Sequence, residues 1–123
     1  MLGKFVLWLS AIVFIGYGLA CLFSPALPAG LAGLVIGNGD ALAEMGAMYG
    51  GLQTGFGAFC LLGALRADYY RPALLLLLLC IGGVALARCF WAFSTDELIS
   101  GYTYGALVFE YSIAILAAVA LRR

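Results

Sequence analysis

The sequence has no histidine, little charge and no net charge. Its 123 residues contain no histidine, so the commonest metal ligand and the usual neutral-pH acid–base are missing. Only 10% of the residues are charged, and 6 basic residues balance 6 acidic ones. A chain without a basic excess offers no positive face to nucleic acid. We therefore expect no nucleic-acid partner.

The four cysteines lack the spacing of a redox pair or a zinc site. No two of them form C-x-x-C, and each lies inside an apolar run, at Cys21, Cys60, Cys80 and Cys89. Such cysteines behave as small apolar packing residues. We expect no metal site and no cofactor. Because no nucleophile–base set is recognisable either, we assign no catalytic residue and favour a non-enzymatic protein.

What the sequence has in excess is apolar character. Hydrophobic residues make up 66% of the chain, and the mean hydropathy is +1.13. Soluble domains are about half apolar and about a quarter charged. A soluble chain this short would need more polar surface to cover its core, so lipid is the surrounding that fits. We predict an integral membrane protein of one domain, residues 1–123.

Four apolar segments have about the length that a membrane-spanning helix needs, roughly 20 residues. They cover residues 5–23, 41–65, 72–93 and 102–121. These segments predict an all-α fold, a bundle of four transmembrane helices. Lys4 before the first segment also suits a signal peptide, but the run is long for a signal core and we expect a span.

The connections between the segments contain helix-start residues and one short apolar run. Asp40 is the expected N-cap of the second helix, and Pro72 suits the first turn of the third. The connection over residues 24–40 includes an apolar run too short to span the membrane. Two interpretations of it stay open: a loop or short helix at the membrane interface, and a lid over an outer cavity.

The positions of the basic residues predict how the spans are oriented across the membrane. Five of them lie at one end of the predicted spans, namely Lys4, Arg66, Arg71, Arg122 and Arg123, and the other two connections contain no Lys or Arg. Because positively charged flanks stay in the cytoplasm, we predict that the N and C termini are both cytoplasmic. Two termini on one side require an even number of spans, as the four segments provide. We expect a multi-pass protein of the bacterial inner (cytoplasmic) membrane.

Three charged residues fall within the predicted spans: Glu44, Arg88 and Glu110. Each costs about 2.5–3.5 kcal/mol at the bilayer centre on insertion scales, so such residues face the bundle interior and pair. The predicted orientation places all three in the outer half of the membrane. We expect Arg88 to pair with Glu110, with Glu44 nearby. A purely structural helix lock, and a helix-dipole role for Glu44, stay open.

Further polar side chains can line a pocket beside these charges. Tyr49 and Gln53 lie one turn apart on the second helix and share a face. Tyr104 and Tyr111 add hydroxyl groups from the fourth helix, although tyrosines in membrane proteins also serve as interface anchors.

The second helix also carries small residues spaced four apart, which let another helix approach closely. These predicted packing residues are Gly46, Gly50, Gly51 and Gly55. The spacing does not say whether the approaching helix belongs to this chain or to another subunit.

Residues 44–57, EMGAMYGGLQTGFG, resemble the core motif of a family of small bacterial four-helix membrane proteins. That family is catalogued as a domain of unknown function, in the neighbourhood of DoxX-like proteins. Arg88 and Glu110 match its arginine late in the third helix and its glutamate in the fourth. The family often has a basic residue where this chain has Ala47. The resemblance implies the four-helix topology and the polar positions, and it implies no activity.

These observations favour a non-enzymatic binding or accessory module with a polar, outward-facing intramembrane pocket. The alternative is a small proton-coupled transporter. Two carboxylates against one arginine leave one excess negative charge, which in a low dielectric attracts a proton or a cation. The expected partner is the lipid bilayer. A hydrophobic or lipid-like ligand, a second copy of the chain and another membrane protein are the further partners that the sequence leaves open.

Overall fold

The computed structural model describes residues 1–122, and this part of the chain is all-helical, 87% helix with no strand. It contains five helices rather than the predicted four. They are α1 (Leu2–Phe23), α2 (Ala26–Ala32), α3 (residues 39–65), α4 (Ala67–Ser94) and α5 (Gly101–Arg122). Arg123, one of the basic residues used to predict the orientation, lies outside the described residues.

The additional helix, α2, occupies part of the connection over residues 24–40. It is only seven residues long and ends at Gly33, whose φ of 70° is left-handed. Glycine adopts this conformation without steric cost and commonly terminates helices. The residues directly after Gly33 are not helical, so α2 includes only the first two residues, Leu31 and Ala32, of the apolar run over residues 31–36.

Three helices are long and apolar enough to cross a membrane: α1, α4 and α5. This is the property expected of an integral membrane protein. Length and composition thus identify three of the four predicted spans. The helix that falls outside this group is α3, because its glycines and Gln53 dilute its apolar residues.

Two helix starts differ from the prediction. The N-cap of α3 is Asn38 rather than Asp40, because Asn38 Oδ1 accepts a hydrogen bond from Ala41 N at 2.8 Å. Asp40 lies instead in the first turn, where a carboxylate favours the positive end of the helix dipole. Helix α4 begins at Ala67, so Pro72 lies inside it and not in its first turn.

The chain forms two compact units. We call Met1–Leu7 together with the chain from Leu62 onward the α4–α5 unit, and Trp8–Leu61 the α1–α3 unit. The core of the α4–α5 unit is made where α4 and α5 pack together. Its buried residues recur every three or four positions, as expected for one helix face: Leu74, Leu77, Ile81 and Ala85 on α4, and Leu107, Ile113, Ala114 and Ala117 on α5.

In the α1–α3 unit, α1 and α3 run antiparallel and approach each other closely at three levels. A Cβ atom added to Gly50 would lie 2.7 Å from Leu22 Cα, and one added to Gly57 would lie 2.6 Å from Ile15 N. Between these levels, a Cβ at Gly18 would lie 2.6 Å from Thr54 N. Glycine at these positions lets the two backbones come together, since any side chain would collide with main-chain atoms.

One of the four predicted packing glycines makes a close backbone contact within this unit. Of the four, only Gly50 lies against the α1 backbone. A Cβ atom added to Gly46 would lie 4.0 Å from Pro25 Cγ. One added to Gly51 would lie near only a carbonyl oxygen of its own helix, and one added to Gly55 would have no atom within 4 Å. The predicted packing role of Gly46, Gly51 and Gly55 stays a prediction, because their partner helix can belong to another subunit, and Gly18 and Gly57 join Gly50 in the contact between α1 and α3.

Candidate functional site

Arg88 and Glu110 continue the rows of buried residues on α4 and α5. Arg88 follows Ala85 by three residues on α4, and Glu110 follows Leu107 by three on α5. Residues at this spacing share a helix face. The two helices therefore direct both side chains toward their common interface.

Arg88 and Glu110 form a bidentate ion pair. Arg88 Nε donates to both carboxylate oxygens, at 3.1 Å to Oε1 and 3.0 Å to Oε2, and Arg88 Nη2 donates to Oε1 at 2.8 Å. The planar guanidinium matches the carboxylate in this arrangement, and charge-assisted bonds of this kind are stronger than neutral ones. The expected contact between the two residues is present. Whether it is a functional site stays a prediction.

Glu110 is more deeply buried than Arg88 within this ion pair. Relative exposure of the side chain is 11% for Glu110 and 28% for Arg88. Glu110 is thus enclosed at the helix interface, whereas the guanidinium retains an accessible part. Because the charges cancel within the pair, the two helices can be held together without a net charge in the apolar interior.

A second polar contact lies one residue further along each helix. The hydroxyl of Tyr111 lies beside the thiol of Cys89, and both residues are half-buried. Tyr104, also predicted to line a pocket, is 51% exposed. Of the residues predicted in this unit, the structure therefore brings Arg88 and Glu110 together and places Tyr111 beside Cys89.

The remaining predicted residues belong to the α1–α3 unit. Glu44 is exposed near the start of α3, and in residues 1–122 it forms no ion pair or side-chain hydrogen bond. Tyr49 lies in the π-helical part of α3, Gly46–Leu52, and Gln53 begins the α-helical part that follows. The cluster of three charges and the pocket stay predictions.

Two residues that were not among those predicted, Gly18 and Thr54, also shape this part of α3. Thr54 Oγ1 donates a hydrogen bond to the carbonyl of Gly50 at 2.8 Å, inside the segment where Gly18 of α1 approaches. The spacing of four between Gly50 and Thr54 was the available signal, because it places hydroxyl and carbonyl one turn apart. Within the described part of the chain, no three His, Cys, Asp or Glu residues group as a metal site.

Comparison with known proteins places the chain in a family. A family model described as Domain of unknown function (DUF4345) matches residues 2–121. The matched region includes the motif at residues 44–57, Arg88 and Glu110. No curated protein and no solved structure gives a significant match to the chain.

Proposed function

The chain belongs to the family described as Domain of unknown function (DUF4345), and for this member we propose a non-enzymatic role in the membrane. It acts as a binding or accessory module whose polar centre includes Arg88 and Glu110. The family description assigns no activity, so the proposal depends on the chemistry of these residues. Its ligand or partner is a lipid-like molecule, a second copy of the chain or another membrane protein.

We further propose that the protein spans the bacterial inner membrane four times, with both termini in the cytoplasm. At 1.5 Å per residue, α3 extends roughly 40 Å, which is long enough to serve as the fourth span beside α1, α4 and α5. The basic residues at the ends of the spans support this direction, namely Lys4, Arg66, Arg71 and Arg122. The motif at residues 44–57 supports a place in the DoxX-like neighbourhood.

The observation that carries the proposed role is the bidentate Arg88–Glu110 pair with its partly accessible guanidinium. Both oxygens of the Glu110 carboxylate accept hydrogen bonds from the Arg88 guanidinium, so the carboxylate is held in one orientation. That property suits a fixed recognition point for a polar ligand group. It suits a carrier less well, because proton-coupled transport requires a carboxylate that takes up and releases a proton.

A small proton-coupled transporter is the second candidate, and the observation in its favour is Glu44. This carboxylate is exposed near the start of α3 and forms no ion pair in residues 1–122. Transport predicts that Glu44→Gln abolishes proton-coupled flux in proteoliposomes while the protein still inserts and folds. Under the binding role, Glu44→Gln leaves ligand or partner retention intact.

The experiment that tests the binding role is native mass spectrometry of the protein purified in mild detergent. Wild type is compared with Arg88→Met/Glu110→Leu, in which both charges are replaced by apolar groups of similar size. Such replacement of a buried pair often leaves folding intact. Ser112→Ala, at an exposed position on α5, is the control.

We expect wild type and the Ser112 variant to retain a stoichiometric ligand or partner that the double variant loses. Size-exclusion elution and helical circular dichroism establish that all three proteins are folded. If the folded double variant retains the same adduct, the ion pair is only a helix lock and the proposed role is wrong.

A further inference from the structure

A groove lies at the end of the α4–α5 unit where the chain passes from α3 into α4. It has a volume of about 370 Å³ and is lined by Met1, Lys4, Tyr70 and residues 63–67. Arg66 connects the two helices with extended backbone, φ −122° and ψ 124°. Three helix ends therefore form the groove: the start of α1, the end of α3 and the start of α4.

Close contacts between these helix ends define the walls of the groove. Gly3 of α1 lies directly against the hydroxyl end of Tyr70, and Gly63 of α3 lies against the Ala73 side chain. A Cβ added to Gly63 would also lie 3.0 Å from the carbonyl oxygen of Tyr69. Because glycine allows this approach, the groove is formed by the fold itself and needs no rearrangement to exist.

Two basic side chains and no carboxylate are among the residues that line the groove. Lys4 and Arg66 both line it, and in residues 1–122 neither forms a salt bridge. Both residue types bind phosphate groups, arginine through paired N–H donors and lysine as a point charge.

The surroundings of the two charges are apolar. Leu65, which lines the groove, is 63% exposed, and Phe5 of α1 is 60% exposed. The groove also lies where α1 and α4 begin, and both helices are long and apolar enough to cross a membrane. Lipid phosphates lie at that level of a bilayer, with the acyl chains extending along the helices.

We propose that this groove is a binding site for a phosphate group, and that the phosphate belongs to the headgroup of an anionic lipid. Lys4 and Arg66 hold the phosphate oxygens, and the first acyl carbons lie over Leu65. Basic pockets between transmembrane helices recognise anionic lipid headgroups by this combination of charge and apolar wall. The site is independent of the role proposed for Arg88 and Glu110.

Native mass spectrometry of the full chain tests the proposal. The protein in neutral detergent is titrated separately with phosphatidylglycerol, with phosphatidylcholine and with inorganic phosphate. Lys4→Gln/Arg66→Gln removes both charges of the groove. Arg71→Gln/Arg122→Gln is the matched control, because it removes two charges at exposed positions outside the groove.

We expect wild type and the control variant to bind phosphatidylglycerol at least tenfold more tightly than the groove variant does, and phosphatidylcholine weakly. Equal weakening by both double variants would mean general attraction to basic residues and would overturn the site. Equal binding of the two lipids by wild type would also overturn it. Binding of inorganic phosphate without phosphatidylglycerol would overturn the assignment to a lipid.

A second pair of variants keeps the charges and changes only the space. Ala67 lines the groove, so Ala67→Leu fills part of it, whereas Ala87→Leu enlarges an exposed position elsewhere on α4. We expect phosphatidylglycerol binding to fall at least fivefold in Ala67→Leu and to stay unchanged in Ala87→Leu. Unchanged binding in both folded variants would show that the lipid lies outside the groove.

Discussion

At the scale of single residues, the Arg88–Glu110 pair shows how a costly residue becomes tolerable inside an apolar helix pair. Either charge alone would cost about 2.5–3.5 kcal/mol at mid-bilayer on insertion scales. Together they cancel, and three hydrogen bonds engage both carboxylate oxygens. The cost of the pair is therefore much smaller than the sum of its parts, and the contribution of each partner depends on the other.

This dependence predicts a non-additive pattern of stability. Glu110→Leu leaves Arg88 uncompensated, and Arg88→Met does the same to Glu110, so each single variant should lower the free energy of unfolding by about 3–5 kcal/mol. Arg88→Met/Glu110→Leu should lose less than either single variant, because it removes both charges. Reversible unfolding in mixed micelles, followed by circular dichroism, measures all four proteins.

The control for this cycle is Ser112→Ala on the exposed side of α5, which should change the free energy of unfolding by less than about 0.5 kcal/mol. Purely additive losses in the double variant would contradict the coupling between Arg88 and Glu110. They would show that each charge has partners that matter more than the other.

At the scale of helices, the close approach of α1 and α3 depends on glycine residues, which have no side chain. Inside a membrane, burial of apolar side chains contributes little to helix association, because lipid tails are as apolar as leucine. Close van der Waals packing therefore contributes more of the free energy of association. Gly18, Gly50 and Gly57 provide this packing at three successive levels. The π-helical segment Gly46–Leu52 contains one of these contacts, at Gly50.

Alanine substitution should destabilise the protein at the glycines that contact α1 and not at a glycine that faces open space. Gly50→Ala and Gly57→Ala place a methyl group against backbone atoms of α1, so each should lower the free energy of unfolding by about 1–3 kcal/mol. Gly55→Ala enters open space and should be neutral or stabilising by up to about 1 kcal/mol, since alanine is the better helix former.

Thermal and detergent-induced unfolding of the three alanine variants measures these differences against wild type. A loss in Gly55→Ala as large as the losses in the other two would contradict the assignment. Its face would then lie against another helix, such as that of a second copy.

At the scale of the whole molecule, the position of α3 decides how many helices cross the membrane. Length and hydropathy identify α1, α4 and α5, whereas the distribution of basic residues favours an even number of spans. The two possibilities differ only in α3. With four spans the connections before and after α3 lie on opposite sides of the membrane, and with three spans they lie on the same side.

Single cysteines in a background without Cys21, Cys60, Cys80 and Cys89 decide between them. With four spans, Gly37→Cys and Asp96→Cys should react with a membrane-impermeant maleimide from outside intact cells, and Asp68→Cys only after permeabilisation. With three spans, Gly37→Cys and Asp68→Cys would be on the same side and Asp96→Cys on the other, which would overturn the four-span topology.

Much of the architecture could be predicted from local patterns in the sequence. An apolar content of 66% indicates the membrane class, because no soluble chain of this length can cover so much apolar surface. The predicted spans agree with α1 and α5 to within a few residues, since continuous apolar runs determine where such helices form. The prediction of turn and cap residues was less reliable. Asn38 and Asp40 are both good N-caps, and only the backbone geometry selects Asn38.

The sequence by itself determined that the chain is helical and apolar, and that Arg88 and Glu110 need polar partners. Hydropathy and the cost of a charge in lipid are properties of each residue in its own segment, so they can be read locally. The tertiary structure decided the bidentate contact between these two residues, the approach of α1 to α3 at Gly18, Gly50 and Gly57, and the basic groove between helix ends. Each of these depends on the register between segments distant along the chain, which no local pattern specifies.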